Sequence, residues 1–216
     1  MQEISIYISH YNALVPNGLF AYIYPMNIKH DRTKVVEKGI ELFWQNGYNN
    51  LGVDAICKST GMPKGAFYNA YNSKENFLLE CLSSYNTMNV EFLNKLIKRR
   101  NNSAVERLLG MYVYMLKELP KQDFSGCMMN NMMSEIGSIN EKVSEITAQL
   151  FDNLVEVIEP VVKEAQQEGD LSNNIDSNTI TELIHSTFFG VLTRAKSTKD
   201  TSKAIHTMTT LINSLK

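Results

Sequence analysis

Cysteine is scarce in this chain of 216 residues, and its placement excludes more than its number. The three cysteines, Cys57, Cys81 and Cys127, form no CxxC pair and no zinc spacing. An odd count at unrelated positions argues against a disulfide framework and for reduced thiols in a cytoplasmic protein. The four histidines, His10, His30, His185 and His206, are scattered. No Gly-rich phosphate loop and no nucleophile elbow occurs, so the usual signatures of an enzyme are missing and no cofactor is expected. Proline is also rare, at 5 residues, which leaves room for long helices. No repeat and no low-complexity tract interrupts the chain.

Residues 1–25, MQEISIYISHYNALVPNGLFAYIYP, lack lysine and arginine altogether. Without a basic n-region they do not read as a signal peptide. Ser5, Ser9, His10, Asn12, Pro16 and Asn17 break them up too often for a membrane-spanning helix. The expectation is an upstream extension, with Met26 as the biological start; the other reading is a β-prone or membrane-touching arm.

The net charge is only −2, but it is unevenly spread. Residues 26–74 hold six Lys and one Arg against two Asp and two Glu, a net +3, while residues 75–216 come to −4 and Glu3 supplies the rest. A small basic segment ahead of a larger acidic one points weakly to nucleic acid at the N-terminal end.

What is abundant is helical spacing. Val35, Val36, Ile40, Leu42 and Phe43 mark a first helix, stopped by Gly47. VDAICKST and PKGAFYNA are two short helices joined at Gly61, with Pro63 suited to the first turn of the second. A long helix follows, capped by Asn72 or Ser73 and ending in Lys98, Arg99 and Arg100. Ser103 with Glu106 opens the next, which Pro120 closes. A methionine-rich helix over 127–136 and a helix capped by Ser138 with Glu141, kinked at Pro160, come after it. The last two helices carry the apolar sets Ile180, Leu183, Ile184, Phe188, Val191, Leu192, Ala195 and Ala204, Met208, Leu211, Ile212, Leu215. The fold class expected is all-α. Residues 26–74 form a three-helix DNA-binding domain and residues 75–216 a larger helical domain.

Two short helices around a glycine are a helix-turn-helix. In GMPKGAFYNAYNSKE, residues 61–75, Phe67 and Tyr71 are four apart and should pack inward. Lys64, Gly65, Tyr68 and Asn69 are then left outside. Lys64 can reach a phosphate, Gly65 lets the backbone approach DNA, and Tyr68 and Asn69 can hydrogen-bond phosphates or base edges. Lys74 is a further candidate, as are Lys29 and Arg32 ahead of the first helix.

The stretch GIELFWQNGYNNLGVDAICKSTGMPKGAFYNAYNSKENFLLECL resembles the TetR/AcrR family of transcriptional regulators, and looks most like its NemR-like, electrophile-responsive branch. Leu51 and Gly52 stand where many members have Thr and Ser, and Ala70 and Tyr71 depart from a common His and Phe. The resemblance implies a homodimer through the last two helices, binding a pseudo-palindromic double-stranded operator. It also implies a central ligand cavity, for which Met111, Tyr112, Met115, Met128, Met132, Met133, Phe151, Phe188 and Phe189 are the candidates; methionines adapt to irregular ligands. Cys127 is expected in the first turn of its helix, where the dipole favours a thiolate, with Lys196 as a partner. Two other readings stay open: a redox or electrophile sensor acting through Cys127, and a helical ligand-binding protein without DNA binding.

Overall fold

The computed structural model describes residues 31–98 and 102–216. Residues 1–25, Met26, Lys29, Arg99 and Arg100, about which the sequence raises expectations, lie outside the described residues. Among the described residues the fold is all-α, with no strand. Its helices are α1 (Arg32–Asn46), α2 (Val53–Thr60), α3 (Lys64–Tyr71), α4 (Lys74–Ile97), α5 (Ala104–Glu118), α6 (Met128–Ile136), α7 (Glu141–Gln167), α8 (Ser177–Thr198) and α9 (Ser202–Ser214). A 3-10 turn, Leu119–Gln122, follows α5. No helix among the described residues is long and apolar enough to cross a membrane. The chain divides into two compact units, one ending at Tyr85 and the other running from Asn86 to Lys216, so the first turns of α4 belong with the N-terminal helices.

In the first unit, the Asp31 carboxylate accepts from the Thr33 N–H at 3.1 Å and starts α1. Val35, Val36, Ile40, Phe43 and Trp44 form the buried stripe; Trp44 takes the buried place, and Leu42 is only half-buried. Gly61 closes α2 at φ 67°, a left-handed conformation that costs a glycine nothing. Pro63 sits one position before the first turn of α3, as its N-cap. Asn72 closes α3 at φ 64°. Ser73 is the cap of α4, its Oγ accepting from the Asn76 N–H at 3.0 Å. The sequence left Asn72 and Ser73 equal; the positive φ at Asn72 ends one helix and leaves the next to Ser73.

The core of this unit is a cluster of rings around Phe77. Tyr71, Phe67 and Phe43 lie 4.6, 5.3 and 5.9 Å from it, centroid to centroid. Gly39 makes room for it. A Cβ there would run into the Phe77 ring and come within 2.7 Å of the Cys81 sulfur. The absence of a side chain at position 39 is therefore what lets α1 lie close to α4.

In the second unit, α5 opens with a complete capping box between Ser103 and Glu106. Helix α7 is capped by Asn140, which accepts from the Val143 N–H at 3.0 Å, rather than by the expected Ser138. It continues through Pro160 to Gln167. It packs against α5, α6 and α8, while α9 packs against α5 and α8. The apolar stripes of the last two helices are mostly used inside the chain, although Leu183 is exposed and Leu211 and Leu215 are half-buried. Ile180, Ile184, Phe188, Val191, Leu192, Ala195, Ala204, Met208 and Ile212 are buried within their own chain. Among the residues α8 leaves exposed, Leu183, Ser186, Gly190 and Arg194 fall in one strip along the helix. A Cβ added at Gly190 would meet nothing within 4 Å among the described residues, so the strip is open at this position.

Candidate nucleic-acid interface and effector core

Helix α3 owes its orientation to two side chains. Phe67 and Tyr71 are buried, at 5.3 Å from each other, and fasten one face to the Phe77 cluster. The helix is then turned so that Lys64, Gly65, Tyr68 and Asn69 are all exposed. Tyr68 is 42% exposed, an unusual position for a large ring, and its edge leans on Phe67 at 5.6 Å. Nothing lies near the missing side chain of Gly65. The arrangement is a solvent-facing strip with a cation, bare backbone and two hydrogen-bonding side chains, held by a rigid aromatic anchor.

The Lys64 ammonium meets Asp54 of α2 at 2.8 Å. This hydrogen bond and the charge behind it raise the Lys64 pKa. Asp54 was not marked in the sequence as part of the site. It lies in the first turn of α2, where an acid favours the helix dipole, and it fixes where Lys64 rests in the absence of a phosphate. Gly52 serves as the N-cap of α2 without a side-chain bond, and Leu51 is buried. The hydroxyl that many family members place there has no counterpart.

Two other candidates are differently engaged. The Arg32 guanidinium lies across the carboxylate of Glu80, with Nε and Nη2 donating at 2.7 and 2.6 Å, and stacks 4.8 Å above the Tyr71 ring. Lys74 points inward. Its ammonium donates to the carbonyls of Tyr48 and Leu51 at 2.9 and 3.0 Å and sits 3.9 Å from the Tyr48 ring centroid. It braces the loop before α2 against the start of α4. Its position in sequence, next to the end of α3, suggested a phosphate contact; the direction of its side chain is set by tertiary packing.

In the second unit the candidate cavity residues divide. Met111, Tyr112, Met128, Met132, Phe188 and Phe189 are buried, while Met115, Met133 and Phe151 are half-buried. At their centre is a residue the sequence offered only as a scattered histidine. His185 is 2% exposed. Its Nδ1 lies 3.3 Å from the Tyr112 hydroxyl. Phe189, Phe151 and Phe188 stand 4.9, 5.2 and 5.9 Å from it, ring to ring. Its place three and four residues before Phe188 and Phe189 on one helix was the signal available.

Burial lowers the His185 pKa from 6.5 to about 4. An unfolded chain would protonate this imidazole near its ordinary value, so between these two pH values the unfolded state binds the extra proton. Stability from this group is therefore complete above pH 6.5 and is lost as pH falls toward 4, by up to a few kcal/mol. Urea unfolding at pH 7.5 and pH 5 is expected to show this loss, and His185→Phe is expected to flatten the difference. An equal slope in the variant would refute it.

Cys127 occupies the N-cap of α6, with φ −97° and ψ 126°, one place outside the first turn where the sequence put it. It is half-buried. Lys196 reaches α6 through Asn131, whose Oδ1 accepts from its ammonium at 3.3 Å. Asn130, one residue earlier, donates to the Phe189 carbonyl and the Thr193 hydroxyl. Helix α6 is thus bonded to α8 by two adjacent asparagines. Cys81 is buried, which pushes its thiol well up, and desolvation likewise raises the half-buried Cys57; neither environment favours a thiolate.

Comparison with known proteins adds an independent line. The model of the family described as "Bacterial regulatory proteins, tetR family" matches residues 35–81, and "Tetracyclin repressor-like, C-terminal domain" matches residues 104–211. The chain is 24% identical over 165 residues to the HTH-type transcriptional repressor DhaR of Mycobacterium sp. (strain GP1), covering 76% of this chain and 82% of that protein. It is 26% identical over 115 residues to the HTH-type transcriptional repressor NemR of Escherichia coli (strain K12), covering 52% and 58%. A regulatory protein TetR from Rhodobacter sphaeroides superposes with a TM-score of 0.75 at 23% identity, over 84% of this chain and 96% of that one. DhaR is matched over the longer stretch, so a NemR-like branch is not favoured within the family. With its helix-turn-helix and its C-terminal helical domain both matched, the chain belongs to the TetR family of bacterial regulatory proteins and is a DNA-binding transcriptional regulator, not an enzyme.

Proposed function

We propose that the protein is a cytoplasmic repressor that binds a pseudo-palindromic operator as a homodimer and is released by a small apolar or electrophilic effector. The observation that carries this reading is the outer strip of α3. Lys64, Gly65, Tyr68 and Asn69 face solvent together because Phe67 and Tyr71 hold the opposite face. A two-fold dimer sets two such helices about one turn of DNA apart, roughly 34–36 Å, which calls for a pseudo-palindrome. Its partner face is the strip of Leu183, Ser186, Gly190 and Arg194, where helices can approach closely. Release is a shift of population toward a dimer whose recognition helices no longer match successive major grooves. DhaR and NemR are both named transcriptional repressors, which favours repression over activation.

A second reading, release by thiol modification as in a NemR-like sensor, is supported by the half-buried Cys127 next to a helix that Lys196 touches through Asn131. One experiment addresses both. The DNA fragment flanking the protein's own gene is expected to shift at low salt, with an affinity that falls steeply as salt rises. Absence of any shift would end the regulator mechanism. N-ethylmaleimide is then added to the wild type and to Cys127→Ser. Release of the wild type alone supports the thiol route, and equal release of both excludes it.

A further inference from the structure

The imidazole of His185 has one satisfied nitrogen and one that is not. Nδ1 pairs with the Tyr112 hydroxyl, whereas Nε2 is buried and has no hydrogen-bond partner among the described residues. Two tautomers are available. If Nδ1 carried the proton, it would donate to the Tyr112 oxygen. The phenol hydrogen would then need another acceptor, and Nε2 would be an unmet acceptor as well. If the Tyr112 O–H donates to Nδ1, only one group is left unmet, the Nε2–H. Burial pushes the Tyr112 phenol far up, so its hydrogen stays in place. The second tautomer is therefore the one the packing selects.

A donor left without an acceptor in an apolar surrounding is costly, and native structures keep few of them without a use. The surroundings here are the rings of Phe151, Phe188, Phe189 and Tyr112. Flat aromatic faces take flat apolar molecules, and a neutral donor takes an oxygen acceptor. A carboxylate would have to surrender its water to this ring-lined surrounding, at a large cost. Phe151 is only half-buried, so this ring cluster is partly exposed on that side.

We infer that Tyr112, Phe151, His185, Phe188 and Phe189 form the effector subsite for an uncharged, flat aromatic compound bearing one carbonyl-type oxygen, which accepts from the His185 Nε2–H. This rests on the effector-released reading above and specifies the chemistry of its ligand. Tyr112 fixes the tautomer, His185 reads the oxygen, and the rings supply the apolar contact. Asn130 links the same place to α6 through the Phe189 carbonyl, so an occupant between the rings presses on the α6 to α8 connection.

The test uses the full-length protein and three probes of similar shape in equilibrium dialysis: 2-acetylnaphthalene, 2-ethylnaphthalene and 2-naphthoate. The wild type is expected to bind 2-acetylnaphthalene about tenfold more tightly than either of the others, which corresponds to about 1.4 kcal/mol. His185→Phe is expected to bind the acetyl and ethyl probes equally. His185→Gln, which keeps a side-chain N–H donor, is expected to retain most of the preference and guards against a folding defect in the first variant. No binding of any probe, no preference in the wild type, or a preference that survives in His185→Phe each overturns the inference. Operator release is read separately by gel shift. If 2-acetylnaphthalene binds with the His185-dependent preference and the operator complex persists, the release reading fails while the subsite stands.

Discussion

Phe77→Ala is expected to unfold the DNA-binding unit at physiological temperature and abolish operator binding. Phe77 is fully buried and is the ring against which Phe43, Phe67 and Tyr71 all rest. Truncating a phenylalanine in such a position costs about 3–5 kcal/mol, because the transfer free energy is lost and a cavity remains. The neighbours cannot collapse into the gap easily. Gly39 has no side chain to offer, and Tyr71 is held under Arg32. A unit of this size has a total stability of only about 5–15 kcal/mol, so the loss is a large part of it. The second unit has its own core, built on Leu108, Leu150, Ile158, Ile184 and Met208. Circular dichroism is therefore expected to show a large helical fraction that melts as in the wild type, preceded by an early transition from the N-terminal unit. A single transition at the wild-type temperature would contradict the central place given to Phe77.

The second expected result separates two lysines ten residues apart. Lys64→Ala combined with Tyr68→Ala should weaken operator binding on the order of a hundredfold, since a dimer loses four contacts at once. Lys64→Ala alone should lower the dependence of log affinity on log salt by about 2, one phosphate for each protomer. Thermal stability should hardly change, because the Lys64 pair with Asp54 is exposed and exposed pairs contribute little. Lys74→Met should behave in the opposite way. Its ammonium donates to the carbonyls of Tyr48 and Leu51, so its loss removes the Leu51 carbonyl's side-chain donor, leaves the Tyr48 carbonyl only the longer bond from the Leu51 N–H, and uncovers the Tyr48 ring. Melting should fall and the salt dependence should keep its slope. Salt titrations of operator affinity beside thermal melts of both variants would check this. A reduced salt slope in Lys74→Met with unchanged melting would instead make Lys74 the phosphate contact expected from its place in the sequence.

Much of the fold was readable in the chain. Helix boundaries followed from turn and cap residues whose partners are only a few residues away: Gly61, and Ser103 with Glu106. The inward pair Phe67 and Tyr71 followed from a spacing of four, and the outward strip from what that spacing left over. Local readings failed by a residue or two at two helix starts. The sequence reading gave the cap of α7 to Ser138, whereas Asn140 is the residue whose side chain accepts from an N–H, and Cys127 lay one residue outside the turn assigned to it.

The sequence by itself determined an all-α chain and a helix-turn-helix with its anchor and its exposed face. These rest on periodicity, capping and turn chemistry, all of which act over a few residues, while the family entered as a resemblance carried by the whole stretch from Gly39 to Leu82. Tertiary structure alone decided the rest. It bonded the half-buried Lys74 to the carbonyls of Tyr48 and Leu51, tied Arg32 to Glu80 across 48 positions, and spent most of the apolar stripes of the last two helices on the chain's own core. It also brought His185 to Tyr112 across 73 positions and ringed it with aromatics, leaving Nε2 unmet. The physical reason is range. Hydrophobic spacing says which face of a helix is buried, but not which other helix covers it, and a lone histidine gains its chemistry only from the groups that close around it.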